Sequence, residues 1–171
     1  MYKRKLQGLT LTELMVVLAT LAILISYATP AWHTFMAAQK RDVLASQLTA
    51  HLALARSAAI SRGRSIAVST VGEGWHSGWR IHLEVQRNGQ WDSGEPILAE
   101  HNGDLRVYMA GNGPLRLYVI FGSDGRPTQV NGSFLAGSIE ICTASSGDAI
   151  ALVLSAAGRI RHELRQTYCP R

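Results

Sequence analysis

The chain has 171 residues, 47% of them hydrophobic and 17% charged. That composition excludes a disordered chain, and two cysteines are too few for a disulfide-dense miniprotein or a four-cysteine zinc site. The net charge of +5 sits at the two ends: Lys3, Arg4 and Lys5 open the chain, Arg159, Arg161, Arg165 and Arg171 close it, and acidic and basic residues balance between Lys40 and Ser155.

The first predicted element is an apolar helix. No charged side chain occurs from Leu14 to Gln39, and Leu14 to Ile25 is almost wholly apolar. A helix needs roughly 20 apolar residues to cross a hydrocarbon layer, and Leu9 to Thr29 supplies that length. A core helix of a single domain this size would keep one face in water and show a polar stripe, which this segment lacks. A cleaved secretory signal would fit the basic start but not the length of the apolar run or the Pro30-Ala31-Trp32 that follows. The basic cluster places the N-terminus in the cytoplasm and the body outside it. Glu13 is the exception at the start of this segment. A carboxylate at full membrane depth costs on the order of 3 kcal/mol, so it either stays at headgroup level or awaits a cationic partner.

Helical spacing continues beyond the anchor. Val43, Leu44, Leu48, Leu52, Ala55 and Ala59 follow steps of three and four and mark one apolar face. A helix from about Thr10 to Arg62 is predicted, with a local bend at Pro30 and a stop at Gly63. Strand-like segments follow at Ser65–Ser69, Trp79–Val85, Leu105–Met109, Leu115–Phe121, Ser138–Cys142 and Ala149–Ser155. Turn signals separate them, among them Asn88-Gly89, Asp124-Gly125 and Asn131-Gly132. The body reads as a mainly antiparallel sheet against a helix, an α+β arrangement.

Catalytic and metal motifs are missing from the sequence. His33, His51, His76, His82, His101 and His162 show no metal-ligand spacing. There is no Gly-x-Ser-x-Gly, no phosphate loop and no His-Glu-x-x-His, so neither an enzyme nor a cofactor is implied. Cys142 and Cys169, in a domain outside the cytoplasm, are expected to join and staple the tail to the sheet. In Gly158-Arg159-Ile160-Arg161, a strand would turn both arginines to one face and Ile160 to the other. Two guanidinium forks side by side suit neighbouring phosphates of a nucleic-acid backbone. A solvated edge strand, kept from edge-to-edge pairing by its charges, is the alternative.

Gly8-Leu9-Thr10-Leu11-Thr12-Glu13-Leu14, behind a basic leader and ahead of an apolar run, resembles the class III signal of type IV pilins and pseudopilins. Leu9 stands where Phe is most frequent, and Thr12 where an apolar residue is usual. The resemblance implies cleavage after Gly8 by a prepilin peptidase, methylation of the new Leu9 amine, and pairing of Glu13 with the terminal amine of a neighbouring subunit during assembly. It implies three segments: a leader at 1–8, a transmembrane and filament-core helix at 9–35, and a periplasmic or extracellular pilin domain at 36–171. The helix stretch Ala53-Leu54-Ala55-Arg56-Ser57-Ala58-Ala59-Ile60-Ser61-Arg62-Gly63 is similar to one in the GspH/FimT branch of that family. So are Gly78-Trp79, Phe121-Gly122-Ser123-Asp124-Gly125-Arg126 and Ser155-Ala156-Ala157-Gly158-Arg159.

Gly-Arg-x-Arg near the C-terminus resembles the DNA-binding motif of FimT-type minor pilins that serve natural transformation. Carried over, Gly158 sets a turn and Arg159 and Arg161 contact double-stranded DNA; from the charge of the tail alone, Arg165 and Arg171 are expected to extend the patch. The implied partners are DNA, other major and minor pilins, the prepilin peptidase, and the inner membrane before export into an extracellular pilus. The rival expectation is a structural minor pilin, or a type II secretion minor pseudopilin, that primes filament assembly without binding DNA.

Overall fold

A computed structural model describes residues 10–104, 106–143 and 148–166, except the side chains of 27–31. The chain divides into two compact units, Met1–Met36 and Ala37–Arg171. Helix α1, Leu11–Arg62, contributes to both. It begins at Thr10, whose Oγ1 accepts from the Glu13 N–H at 3.3 Å while its carbonyl accepts from the Leu14 N–H at 3.2 Å. Thr10 is thus an N-cap, and the Glu13 carboxylate lies in the first turn, where the helix dipole favours a negative charge.

In the first unit the large apolar side chains from Leu11 to Ile25 are exposed along the helix. Among the described residues no helix is long and apolar enough to cross a membrane. The span expected from Leu9 to Thr29 starts before the described residues and ends among the undescribed side chains. Helix α1 continues through Pro30, and the bend expected there falls in the same stretch.

In the second unit α1 buries Leu44, Ala45, Leu48, Leu52, Ala55 and Ala59. Val43, expected on this face, is instead 51% exposed. It lies five positions from Leu48, about 140° away at 100° per residue, so the buried stripe takes Ala45 in its place. The helix ends in a Schellman motif: the Gly63 N–H bonds the Ile60 carbonyl and the Arg64 N–H bonds the Ala59 carbonyl, both at 3.3 Å, with Gly63 left-handed at φ 62°.

Nine described strands follow: β1 (Ile66–Thr70), β2 (Gly78–Leu83), β3 (Ile97–Asn102), β4 (Val107–Gly111), β5 (Tyr118–Phe121), β6 (Pro127–Thr128), β7 (Gly137–Thr143), β8 (Asp148–Leu154) and β9 (Ile160–Gln166). They form two antiparallel sheets, ordered β3-β2-β1-β5-β6 and β4-β7-β8-β9, where the sequence suggested one. Both sheets and α1 share one apolar core, with Ile66, Val68, Ile81, Val119 and Phe121 from the first sheet and Met109, Ile139, Ile141, Leu152 and Leu154 from the second. Strand β3 has no buried residue, so it carries no apolar alternation to announce it. The expected Leu115–Phe121 strand opens instead as a 3-10 turn, Gly113–Arg116, around Pro114. Leu105, expected to open β4, is outside the described residues.

Candidate functional site

The β8–β9 connection carries the Gly-Arg-x-Arg sequence. Ser155 starts the turn: its carbonyl accepts from the Gly158 N–H at 2.8 Å, its N–H donates to the Arg159 carbonyl at 2.9 Å, and its hydroxyl accepts from the Arg159 N–H at 3.1 Å. Gly158 is left-handed, at φ 78°. It is also crowded, since a Cβ there would lie 2.8 Å from the Gly125 carbonyl oxygen and 3.1 Å from Arg56 Nε. Both the dihedral and the space therefore demand glycine.

Arg56, projecting from α1, holds this turn in place. Its guanidinium donates to the carbonyls of Gly125 at 3.0 Å, Ala157 at 3.2 Å and Gly158 at 3.3 Å. The planar fork serves two turns at once from three separate nitrogens, a wider and more rigid spread than the donors of a single ammonium. Three stretches that stand far apart in the sequence, around Arg56, Gly125 and Gly158, meet at this one group.

Arg159 and Arg161 are both exposed and line one concavity of about 310 Å³ with Val153 and Ser155. Ile160 packs against the core on the opposite face. It lines a groove of about 550 Å³ along α1, together with Thr49, Leu52 and Arg56, and Arg159 borders that groove as well. His162 Nε2 lies 2.9 Å from Thr49 Oγ1. The Thr49 hydroxyl proton goes to the Ala45 carbonyl at 2.8 Å, so the imidazole N–H is the donor in that contact.

The arginines of β9 are not equivalent. Arg161 donates to Glu163 at 2.8 Å, and Arg165 donates to Glu163 at 3.0 Å and to Glu140 at 3.1 Å. Hydrogen bonds from Arg165, then from Arg161, hold the Glu163 carboxyl below its ordinary value. The same carboxylates push the Arg165 guanidinium up. Among the described residues Arg159 has no ion-pair partner, so the uncompensated positive charge of the hairpin sits on it. Arg165, expected to extend the patch, is tied into the carboxylate pair. Arg171 lies outside the described residues.

Gly8 and Leu9 lie outside the described residues. Glu13 is exposed in the first turn of α1. Cys142 is buried at 1% exposure and carries no free thiol, while Cys169, its expected partner, lies outside the described residues.

Two polar clusters had no signal in the sequence, because their members come from separate elements. Ser69 Oγ lies 3.0 Å from His82 Nε2, and His82 Nδ1 lies 2.9 Å from Glu95 Oε2. The order hydroxyl, imidazole, carboxylate is that of an acyl-transfer nucleophile. However, Ser69 is 3% and His82 0% exposed, which leaves a substrate no approach. The cluster instead organises the β2–β3 connection: Glu95 accepts from the N–H groups of Val85 and Asp92, and Glu84 from those of Asn88 and Gly89. Burial first, and the Glu95 charge after it, push the Glu84 carboxyl up against these hydrogen bonds. In the second cluster the indole N–H of buried Trp79 donates to His51 Nδ1 at 2.8 Å and its ring stacks on His101 at 4.1 Å. Burial, then the neighbouring His51, lowers the His101 value. Among the described residues no three potential ligands gather for a metal.

The family described as Type II transport protein GspH matches residues 44–158. Among solved structures, the type IV minor pilin FimU of Pseudomonas aeruginosa superposes with a TM-score of 0.62 at 23% identity, covering 78% of this chain and 98% of that one. A second crystal form of FimU gives 0.59 at 23% identity, covering 74% and 98%. The minor pseudopilin EpsH from the type 2 secretion system of Vibrio cholerae gives 0.52 at 12% identity, covering 72% and 95%. At these identities the likeness is one of fold: a helix packed on antiparallel sheets. No curated protein matches the chain significantly.

Proposed function

The chain belongs to the family of the type II transport protein GspH, and from that premise we propose that it is a minor type IV pilin whose β8–β9 hairpin binds double-stranded DNA. The family makes it a structural filament subunit, a minor pilin or minor pseudopilin, rather than an enzyme. Its partners as such are other pilins and the prepilin peptidase. In this proposal the peptidase cleaves after Gly8, the Leu9 amine is methylated, and Glu13 pairs with a neighbour's amine during assembly. The subunit waits in the inner membrane with its body in the periplasm, then enters an extracellular pilus and captures DNA for natural transformation.

One observation carries the DNA reading: Arg159, free of any ion pair among the described residues, shares a concavity with Arg161 on a turn built by Gly158. Such a site contacts phosphates without reading bases, so binding is sequence-independent. Each phosphate contact contributes about −0.9 to the slope of log affinity against log salt. The test is a fluorescence-anisotropy titration of mixed-sequence duplex DNA with the full chain in detergent micelles. Combined Arg159→Ala and Arg161→Ala is expected to abolish binding and leave the thermal melt intact. Wild-type affinity in that double variant removes the reading.

A second reading is a structural minor pilin or type II secretion pseudopilin that does not bind DNA. It is favoured by Glu163 and Glu140, which neutralise Arg161 and Arg165 within the chain. Under that reading the wild-type protein shows no salt-dependent DNA binding.

A further inference from the structure

The turn that carries Arg159 has a second flank. Its residues Ala156 and Ala157 line a concavity of about 570 Å³ shared with Arg126, Thr128 and Phe134. The far wall is the β5–β6 turn, closed by the Gly125 N–H on the Gly122 carbonyl at 2.8 Å and the Gly122 N–H on the Arg126 carbonyl at 2.9 Å. Arg126 follows Gly125 as Arg159 follows Gly158. The two glycines adjoin, since a Cβ on Gly158 would stand 2.8 Å from the Gly125 oxygen, and Arg56 bonds the carbonyls of both. Two arginines distant in sequence therefore leave the surface from neighbouring turns fastened to one guanidinium.

Arg126 is available to an anion. Its side chain is 73% exposed, and its Nε lies 3.7 Å from Asp124 Oδ2, while the other oxygen of Asp124 accepts the Arg126 backbone N–H at 3.0 Å. An exposed pair at that distance constrains the guanidinium little. Phe134 is 71% exposed, yet its backbone is bridged to Thr128, and the Leu135 N–H bonds the Pro127 carbonyl at 3.0 Å. One exposed ring alone is ordinary. This ring sits on a fixed backbone and shares its concavity with an arginine. Thr128 Oγ1, in the same wall, is buried without a hydrogen-bond partner among the described residues.

Resting on the DNA reading above, we infer that the nucleic-acid surface continues across the turn, with Arg126 taking a further backbone phosphate and Phe134 lying against the adjacent sugar. Charge decides the occupant. Arg126 on one turn and Arg159 on its neighbour, with Arg161 beside Arg159 against Glu163 and only the exposed Asp124 as an acid in the Arg126 concavity, complement a polyanion with regularly spaced charges.

The test uses the same anisotropy titration across a range of salt. Arg126→Ala is expected to weaken binding severalfold and to make the salt slope shallower by about 0.9, the signature of one lost phosphate contact. Phe134→Ala is expected to weaken binding at every salt concentration with the slope unchanged, because no charge is lost. Thermal melts check that both variants fold. If Arg126→Ala keeps the wild-type affinity and slope while the Arg159→Ala, Arg161→Ala double variant loses binding, the extension is overturned and the DNA reading stands. If the double variant still binds as wild type, the DNA reading falls and the extension with it.

Discussion

The guanidinium of Arg56 donates to the carbonyl of Gly158 at 3.3 Å, and that same glycine is the only residue type that fits beneath it. A helix side chain thereby sets the shape of the turn that presents Arg159. Two further carbonyls, of Ala157 and Gly125, share the group.

Replacing Arg56 tests this arrangement. Arg56→Ala leaves three carbonyls without their donor, and the expected loss is about 1–2 kcal/mol because part of the site is wet. That corresponds to a Tm lower by roughly 3–6 °C, read by circular dichroism. DNA affinity is expected to fall with the salt slope unchanged, since Arg56 acts by positioning the turn. Arg56→Lys keeps the charge but offers no planar fork, and it is expected to restore neither stability nor binding. Full recovery in the lysine variant would mean that Arg56 acts through its charge.

The ion pairs on β9 predict different outcomes for two nearby residues. Glu163→Gln releases Arg161 and Arg165 from their shared carboxylate and is expected to tighten DNA binding severalfold at low salt. Arg165→Ala removes a guanidinium already held by Glu163 and Glu140, and DNA affinity is expected to stay near wild type. A loss on Arg165→Ala as large as that on Arg159→Ala would show that Arg165 leaves its carboxylates to reach the ligand.

Stability is expected to fall on acidification through His101. Its folded value lies below the ordinary 6.5, so the unfolded chain binds the proton first. Stability is therefore complete above about pH 6.5 and declines as pH drops through the folded value, where the ring stacked on Trp79 must take up charge. Thermal melts at stepped pH are expected to show this decline in the wild type and a smaller one in His101→Gln. Equal slopes in the two proteins would place the acid sensitivity elsewhere.

The helix was the most legible element. The apolar run and the helical spacing beyond it announced its extent and Gly63 announced its stop, while the N-cap that Thr10 supplies emerged only in the structure. Strands with buried residues were legible, β1 and β2 through alternation and β7 and β8 as apolar runs between turn signals. Strand β3 was not, since it buries no side chain. In the candidate site, the Gly158 turn and the alternation of Arg159 and Arg161 about Ile160 could be read from the motif. The division of labour among the arginines could not, because Glu140 reaches Arg165 from another strand.

By itself the amino-acid order determined what depends on near neighbours along the chain: helix caps, turn glycines, the apolar face of α1 and the charge at both ends. Backbone dihedrals and side-chain periodicity are local properties, set by residues a few positions apart. Only the tertiary structure decided that Arg56 fastens two distant turns, that Ser69, His82 and Glu95 are sealed from solvent, and that Arg159 alone among the described arginines of its hairpin stays unpaired. Those outcomes depend on distances across the core, and a charge is neutralised or left free by whichever group folding brings within hydrogen-bond reach.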